Sequence, residues 1–263
     1  MKKTLLFGLV LMSPVAAARA AVVFSDDFES GTLANWTSTA ATPSPLTIST
    51  SQNVVPVVGT YSAAVDNTTD RMHHNIIDDN GGSEVEGASI FSYYFYDDGG
   101  STREFAEVRG YSGGAGLPNG GTAATGALAQ LLAIGRYNSV TLAGETFNAT
   151  KYQARLTFGT SAGWFNLDGV GTPSRSIGWH QFGIERLADG TSINFYVDGI
   201  LSRSLAGATA ASWDTIVLGS ALGATATTAY FDGVSLVTVP EPSGSVLTLA
   251  AILGAASLRR RKA

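Results

Sequence analysis

Trp179-His180-Gln181-Phe182-Gly183-Ile184-Glu185-Arg186 alternates bulky apolar with polar residues, and together with the next 19 residues it decides the fold. Asp189-Gly190 turns the chain, Ile193-Asn194-Phe195-Tyr196-Val197 returns, and Asp198-Gly199 turns it again before Ile200 to Leu205. Period-two alternation marks half-buried strands, and Asp-Gly favours tight hairpins because both residues tolerate positive φ. Two turns around one strand make a three-strand antiparallel meander.

Outward from that meander, runs rich in Val, Ile, Phe, Tyr and Thr are separated by Gly, Asn and Asp clusters, with no amphipathic helix between Ala21 and Thr238. Strands are expected at Ala88 to Tyr96, Phe105 to Tyr111, Leu131 to Tyr137, Tyr152 to Phe158, Thr215 to Leu218 and Ala229 to Val237. Phe91-Ser92-Tyr93-Tyr94-Phe95-Tyr96 is aromatic on both faces, which suits a central strand. Ser112 to Gly126 is a Gly-rich loop of the length used for lids and binding loops. The pattern gives an all-β fold, a two-sheet antiparallel sandwich spanning residues 21–238 as one domain.

Composition narrows the function classes. The chain has 263 residues, 44% of them hydrophobic, and no Cys, which excludes disulfide frameworks, thiol catalysis and cysteine zinc sites. Seven of the sixteen basic residues sit at the termini. Residues 21–258 therefore hold nine basic and all 21 acidic residues, a formal charge of −12. Polyphosphate is repelled by such a body, so no nucleic-acid partner is expected.

The two ends read as addresses. Lys2 and Lys3, the apolar run Thr4 to Met12 and the small-x-small site Ala18-Arg19-Ala20 form a secretory signal peptide, residues 1–20, cleaved after Ala20. At the other end, Pro240-Glu241-Pro242 stops the domain and precedes 14 residues, Ser245 to Leu258, then Arg259-Arg260-Arg261-Lys262. That apolar segment is short against the roughly 20 residues that span a bilayer, and its cations favour the cytoplasmic side.

Motif, spacer and basic tail in this order, residues 239–263, resemble the PEP-CTERM sorting signal of Gram-negative bacteria. The resemblance implies processing by an exosortase near Pro240, Glu241 and Pro242, and transient residence in the inner membrane through residues 245–258. It also implies delivery to the cell envelope, surface or exopolysaccharide matrix.

Gly178-Trp179-His180-Gln181-Phe182 with Asn194-Phe195-Tyr196-Val197-Asp198-Gly199 resembles the laminin-G-type, concanavalin A-like jelly roll. Asp26-Asp27-Phe28-Glu29-Ser30-Gly31 with Asn35-Trp36, and Tyr230-Phe231-Asp232-Gly233-Val234, resemble the opening and closing strands of jelly-roll carbohydrate-binding modules. Such modules often tie their ends with calcium, which takes six to eight oxygen ligands. Carried over by position, the resemblance implies Glu29 and Asp232 as ligands, with Asp26 or Asp27 adding another. The chain departs from the pattern at Gly233, where a second acid often follows. Asp97-Asp98-Gly99-Gly100 and Asp78-Asp79-Asn80-Gly81-Gly82 read either as further calcium loops or as hairpin turns.

Catalytic signatures are weak. No Glu has Asp two residues on and Glu five residues on, the spacing that puts acid and nucleophile on one strand face. Glu84/Glu86 and Glu104/Glu107 lack the middle Asp. No Gly-x-Ser-x-Gly elbow surrounds a Ser, and His73-His74 reads as an exposed loop pair. No catalytic residue is assigned.

Sugar binding draws on aromatic faces beside amides and carboxylates. The candidates are Trp164, Trp36 and Tyr111, then Tyr94, Tyr96 and Tyr137, whereas Trp179 and Trp213 are expected between the sheets. The reading is an exported, non-catalytic glycan-binding or matrix protein, with structural calcium as the cofactor its resemblance implies. The alternatives are a polysaccharide-active hydrolase or lyase and a purely structural surface protein.

Overall fold

A computed structural model describes residues 20–239, except 39–44, 54–58, 68, 114–115, 122, 159–160, 208–211 and 223–227. The signal-peptide and sorting-signal readings, with Pro240 to Pro242 and Arg259 to Arg261, lie outside the described residues.

Among the described residues fifteen strands follow one another: β1 Ala21–Asp26, β2 Thr37–Ser38, β3 Thr47–Ser49, β4 Ser62–Val65, β5 Met72–Asn75, β6 Ser89–Asp97, β7 Glu104–Tyr111, β8 Leu128–Arg136, β9 Gln153–Phe158, β10 Ser161–Asn166, β11 Gly178–Arg186, β12 Ile193–Val197, β13 Ile200–Leu205, β14 Thr215–Leu218 and β15 Ala229–Thr238. They form two antiparallel sheets. One has eight strands in the order β13-β12-β11-β6-β15-β4-β3 with β1 also on β15, and the other has seven in the order β10-β9-β8-β7-β14-β5-β2. The all-β, two-sheet jelly-roll architecture is as the meander foretells.

The meander turns as its sequence requires. Val197 pairs with Ile200 across a two-residue loop, and Asp198 and Gly199 have φ of 51° and 75°. Both central residues of a type I′ turn need positive φ. The other Asp-Gly is different. Asp189 makes a longer loop, its carboxylate accepting from the amides of Thr191 and Ser192.

β6 lies centrally between β11 and β15, burying Phe91, Tyr93 and Phe95 against the opposite sheet while Ser92, Tyr94 and Tyr96 point outward. Tyr93 crosses the layers, its hydroxyl donating to the Ile134 carbonyl and accepting from the Ala106 amide at 3.1 Å. Arg136 of β8 reaches Asp97 of β6 at 2.8 Å, and Arg175 adds a second guanidinium at 3.0 Å. In a chain without cysteine, these buried polar links join the two layers. β1 pairs with β15 from Ala21↔Thr238 to Asp26↔Val234, closing the domain on itself.

Two local expectations fail. His73 and His74 are not loop residues but lie in β5, both buried. Trp213 is fully buried as expected, but Trp179 is half-buried on the outer side of the eight-stranded sheet, edge-on to Tyr96.

Candidate functional site

Strand β7 builds the site. Its even positions Ala106 and Val108 enter the core with Leu132, Ile134, Ala154, Leu156, Ile216 and Leu218 of the same sheet. Its odd positions, Phe105, Glu107, Arg109 and Tyr111, therefore face away from the core, because successive side chains alternate across a strand. That outer face should be wet, yet all eight residues of β7 are buried.

Pairing brings distant residues into rows on this face. One row reads Trp164, Arg155, Ala133, Glu107, Val217, His73, Thr37, from β10 to β2. The next reads Thr157, Leu131, Arg109, Thr215, Asn75. Phe105, Leu131, Ala133 and Trp164 form a second apolar cluster separate from the main core, with Tyr137 against it.

At the centre is an ion cluster. Arg71 Nη2 donates to both Glu107 oxygens at 3.0 and 2.9 Å, and Arg109 Nε donates to Oε2 at 2.6 Å. Arg109 Nη1 donates to the Tyr111 hydroxyl at 2.9 Å. Burial would raise the Glu107 pKa, but the charges of Arg109 and Arg71, with Arg155 behind them, outweigh it and hold the carboxyl below its ordinary range. Glu107 is thus a fixed counter-ion rather than a proton donor. Burial, set against the Pro118 carbonyl and helped by the charge of Arg109, lowers the His73 pKa.

Unused hydrogen-bonding capacity gathers here. Arg71 Nε, His73 Nδ1 and Thr157 Oγ1 are buried without a partner among the described residues. Half-exposed Arg155 makes no salt bridge with a described residue. Buried polar atoms are normally satisfied, and three of the seven unpartnered ones among the described residues share this face.

Two loops border the face. At the β10 edge, Thr141 and Leu142 donate their amides to the Trp164 carbonyl, both at 2.9 Å. At the β5 edge the Gly-rich loop docks through the Leu117 amide on Thr215 Oγ1 at 3.1 Å, the Asn75 amide on Asn119 and the His73 ring on the Pro118 carbonyl. Gly116 permits that approach. A Cβ there would sit 2.7 Å from Thr215 Oγ1 and 2.8 Å from Asn75 Nδ2, on a backbone with φ of 53°.

The sequence-derived candidates scatter. Trp164 and Tyr111 do reach this face, but neither offers an open ring. Trp164 is 4% exposed and Tyr137 stacks on it at 3.8 Å and 3°, while Arg103 covers the Tyr137 ring. Trp36 belongs to the main core, packed on Phe24 and Phe28, with its indole Nε1 donating to Asp26 at 2.9 Å. Tyr94 and Tyr96 lie on the other sheet's outer face. A depression of about 260 Å³ there is lined by Ile90, Ser92, Gln181, Gly183, Glu185 and Tyr196.

The implied calcium ligands are engaged by protein donors. Asp26 accepts from the Phe28 amide, Asn35 and Trp36, and Glu29 accepts from the amides of Thr60 and Tyr61. Asp232 accepts from the Gly233 amide. Among the described residues no three His, Asp or Glu side chains gather as a metal would need. Asp97 and Asp98 are taken by Arg136, and Asp79 by His74 at 2.7 Å.

The two carboxylate pairs lie in different settings. Glu104 and Glu107, three apart on a strand, face opposite sides. Glu84 and Glu86 flank Val85, which bridges to Trp213 outside any strand.

Arg71, Arg109 and Arg155 were not singled out from the sequence, and His73 was read only as part of an exposed loop pair. One signal was present, the alternation of Glu107, Arg109 and Tyr111 against Ala106 and Val108.

Among solved structures, the chain is similar to the conserved carbohydrate esterase vb_24B_21 from the Shiga toxin-encoding bacteriophage phi24B. The TM-score is 0.52 at 10% identity, covering 84% of this chain and 100% of that one. It also matches domain 4 of AbnA, an extracellular arabinanase from Geobacillus stearothermophilus, with TM-score 0.47, 10% identity and coverage of 84% and 94%. The Emp47p carbohydrate recognition domain gives TM-score 0.47, 8% identity and coverage of 84% and 97%. No family model matches the chain, and no curated protein matches it in sequence. At these identities the likeness is one of fold.

Proposed function

We propose that this is an exported glycan-binding protein whose site is the outer face of the seven-stranded sheet, bordered by the loops at 112–127 and 137–148. The observation that carries the reading is the gathering of Arg71, Arg109, Arg155 and Thr157 on one sheet face beside the buried cluster of Leu131 and Ala133. A glycan presents hydroxyls and ring substituents that match such polar groups. Binding sites of this kind are largely apolar with a few placed polar groups. The phage protein of similar fold is named a carbohydrate esterase, which is in keeping with the reading but is a property of that protein.

Export rests on the three-part leader at residues 1–20, and retention at the envelope on Pro240-Glu241-Pro242, the apolar segment and Arg259 to Arg261. An exosortase processes the tail after transient residence of residues 245–258 in the inner membrane. The mature chain then joins the surface or the exopolysaccharide matrix. Deleting residues 240–263 should release the protein to the medium, and unchanged retention contradicts the sorting role.

The binding site is tested by screening the purified protein against a broad panel of bacterial polysaccharides. Thr157→Trp places a bulky ring on the face from a half-exposed strand position and should abolish binding. Tyr94→Ala on the opposite sheet should leave it intact. Loss with Tyr94→Ala and retention with Thr157→Trp would move the site to the other sheet.

A further inference from the structure

With the glycan reading as premise, the charges on the face narrow the ligand. Residues 21–258 carry nine basic side chains against 21 acidic ones. Three of those nine, Arg71, Arg109 and Arg155, converge on this one face. Arg103, over the Tyr137 ring, adds a fourth. Against them stand Glu107, bonded to Arg71 and Arg109, Asp214, which accepts from the Tyr111 amide at the end of β7, and Glu84, whose charge reaches Asp214. Even with all three carboxylates ionised, one positive charge is left over, and it is concentrated where the rest of the body is acidic.

On this face Arg155 is a cation without a salt bridge among the described residues. It sits in the same row as Glu107 with Ala133 between them, two strand spacings or about 10 Å away. Ala133 has the smallest side chain in that row and is itself fully buried, so Arg155 stands beside the cluster as the half-exposed cation of the row. Thr157, in the next row of β9 on the same face, adds a hydroxyl without a partner among the described residues. A guanidinium presents paired N–H donors that match a planar carboxylate bidentately.

We infer that the face takes an acidic polysaccharide, with a ring-borne anionic group held by Arg155 at its half-exposed position on β9. A uronate carboxylate and a sulfate ester both supply such an anion, and the guanidinium chemistry is common to the two.

The test is calorimetric titration of the purified protein with oligosaccharides of mannuronate, guluronate, galacturonate and glucuronate, with their neutral methyl esters, and with a sulfated glucan of equal length. At least one uronate, or the sulfated glucan, should bind, and esterification should weaken a binding uronate tenfold or more. Binding by the sulfated glucan alone supports the inference and assigns the anion to sulfate. Arg155→Gln should weaken binding about tenfold while lowering the melting temperature far less than Glu107→Gln, because Arg155 has no ion pair to lose among the described residues and reaches Glu107 only through its charge, and Arg155→Lys should restore part of the binding. Equal binding of acid and ester, or neutral glycans bound in preference, overturns the acidic ligand while leaving glycan binding intact. Unchanged affinity in Arg155→Gln overturns the subsite. Failure of every glycan, charged and neutral, overturns the glycan reading itself.

Discussion

Arg155 and Glu107 stand in one transverse row of the seven-stranded sheet, separated only by Ala133. Their opposite charges do not meet, because Glu107 is already held by Arg71 and Arg109. That arrangement separates a structural ion cluster from a cation without a salt bridge among the described residues, and the two halves should respond differently to mutation.

Glu107→Gln removes the counter-ion of two guanidiniums that are themselves largely out of water. Breaking one side of a buried ion cluster costs about 3–5 kcal/mol, so the variant should unfold at clearly lower denaturant. Chemical denaturation of both proteins checks this, and a loss below about 1 kcal/mol would mean the cluster is solvated.

Trp36→Phe keeps a ring in the core but deletes the indole donor to Asp26. A lost hydrogen bond to a buried charged group costs about 1.5–3 kcal/mol, and glycan affinity should not change. Reduced affinity with unchanged stability would return Trp36 to the sugar-binding candidates.

His180 is buried, which opposes its charge, but the hydrogen bond and charge of Asp198 at 2.8 Å outweigh burial and raise its pKa. Burial likewise opposes the Asp198 charge, yet the His180 bond and the Gln181 amide lower its pKa. The histidine contribution is complete below its ordinary pKa of about 6.5 and disappears as pH rises through the higher folded value. The aspartate contribution is present above about 3.9 and disappears as pH falls through the lower folded value. Asp198→Asn should therefore lower the melting temperature most between about pH 4 and 6.5 and least above pH 8. A pH-independent difference would contradict the pair.

The oxygens of Asp26 and Glu29 are occupied by protein donors, so EDTA should leave the melting temperature of the protein unchanged. A fall of several degrees, reversed by calcium, would show a bound ion.

Gly116→Ala should dislodge the loop at 112–127. Its methyl would collide with Thr215 Oγ1 and Asn75 Nδ2 on a backbone with positive φ. Limited proteolysis should cut the variant within this loop much faster than the parent, and equal resistance would mean that the loop reaches its place another way.

Much of the fold was legible because the meander and β6 repeat a two-residue alternation deep enough to fix which face is buried. β5 was not, since Met72-His73-His74-Asn75 has the composition of a loop. It becomes a strand only because β14 and β2 pair with it and the Gly-rich loop covers His73. Within the site, Glu107, Arg109 and Tyr111 could be grouped from one strand. Arg71 and Arg155 could not, because they join the group through register set across several strands. Counting aromatics misled for a physical reason: the Trp164 face is spent on Tyr137, a contact between residues 27 positions apart in sequence.

The central claim is that ligand meets the outer face of the seven-stranded sheet, and chemical-shift mapping during titration of the labelled protein with uronate oligosaccharides tests it directly. Shifts should concentrate on the side-chain Nε–Hε signals of Arg71, Arg109 and Arg155 and on amides of β7, β8 and β9. Shifts confined to Tyr94, Tyr96, Gln181 and Tyr196 on the eight-stranded sheet would contradict it.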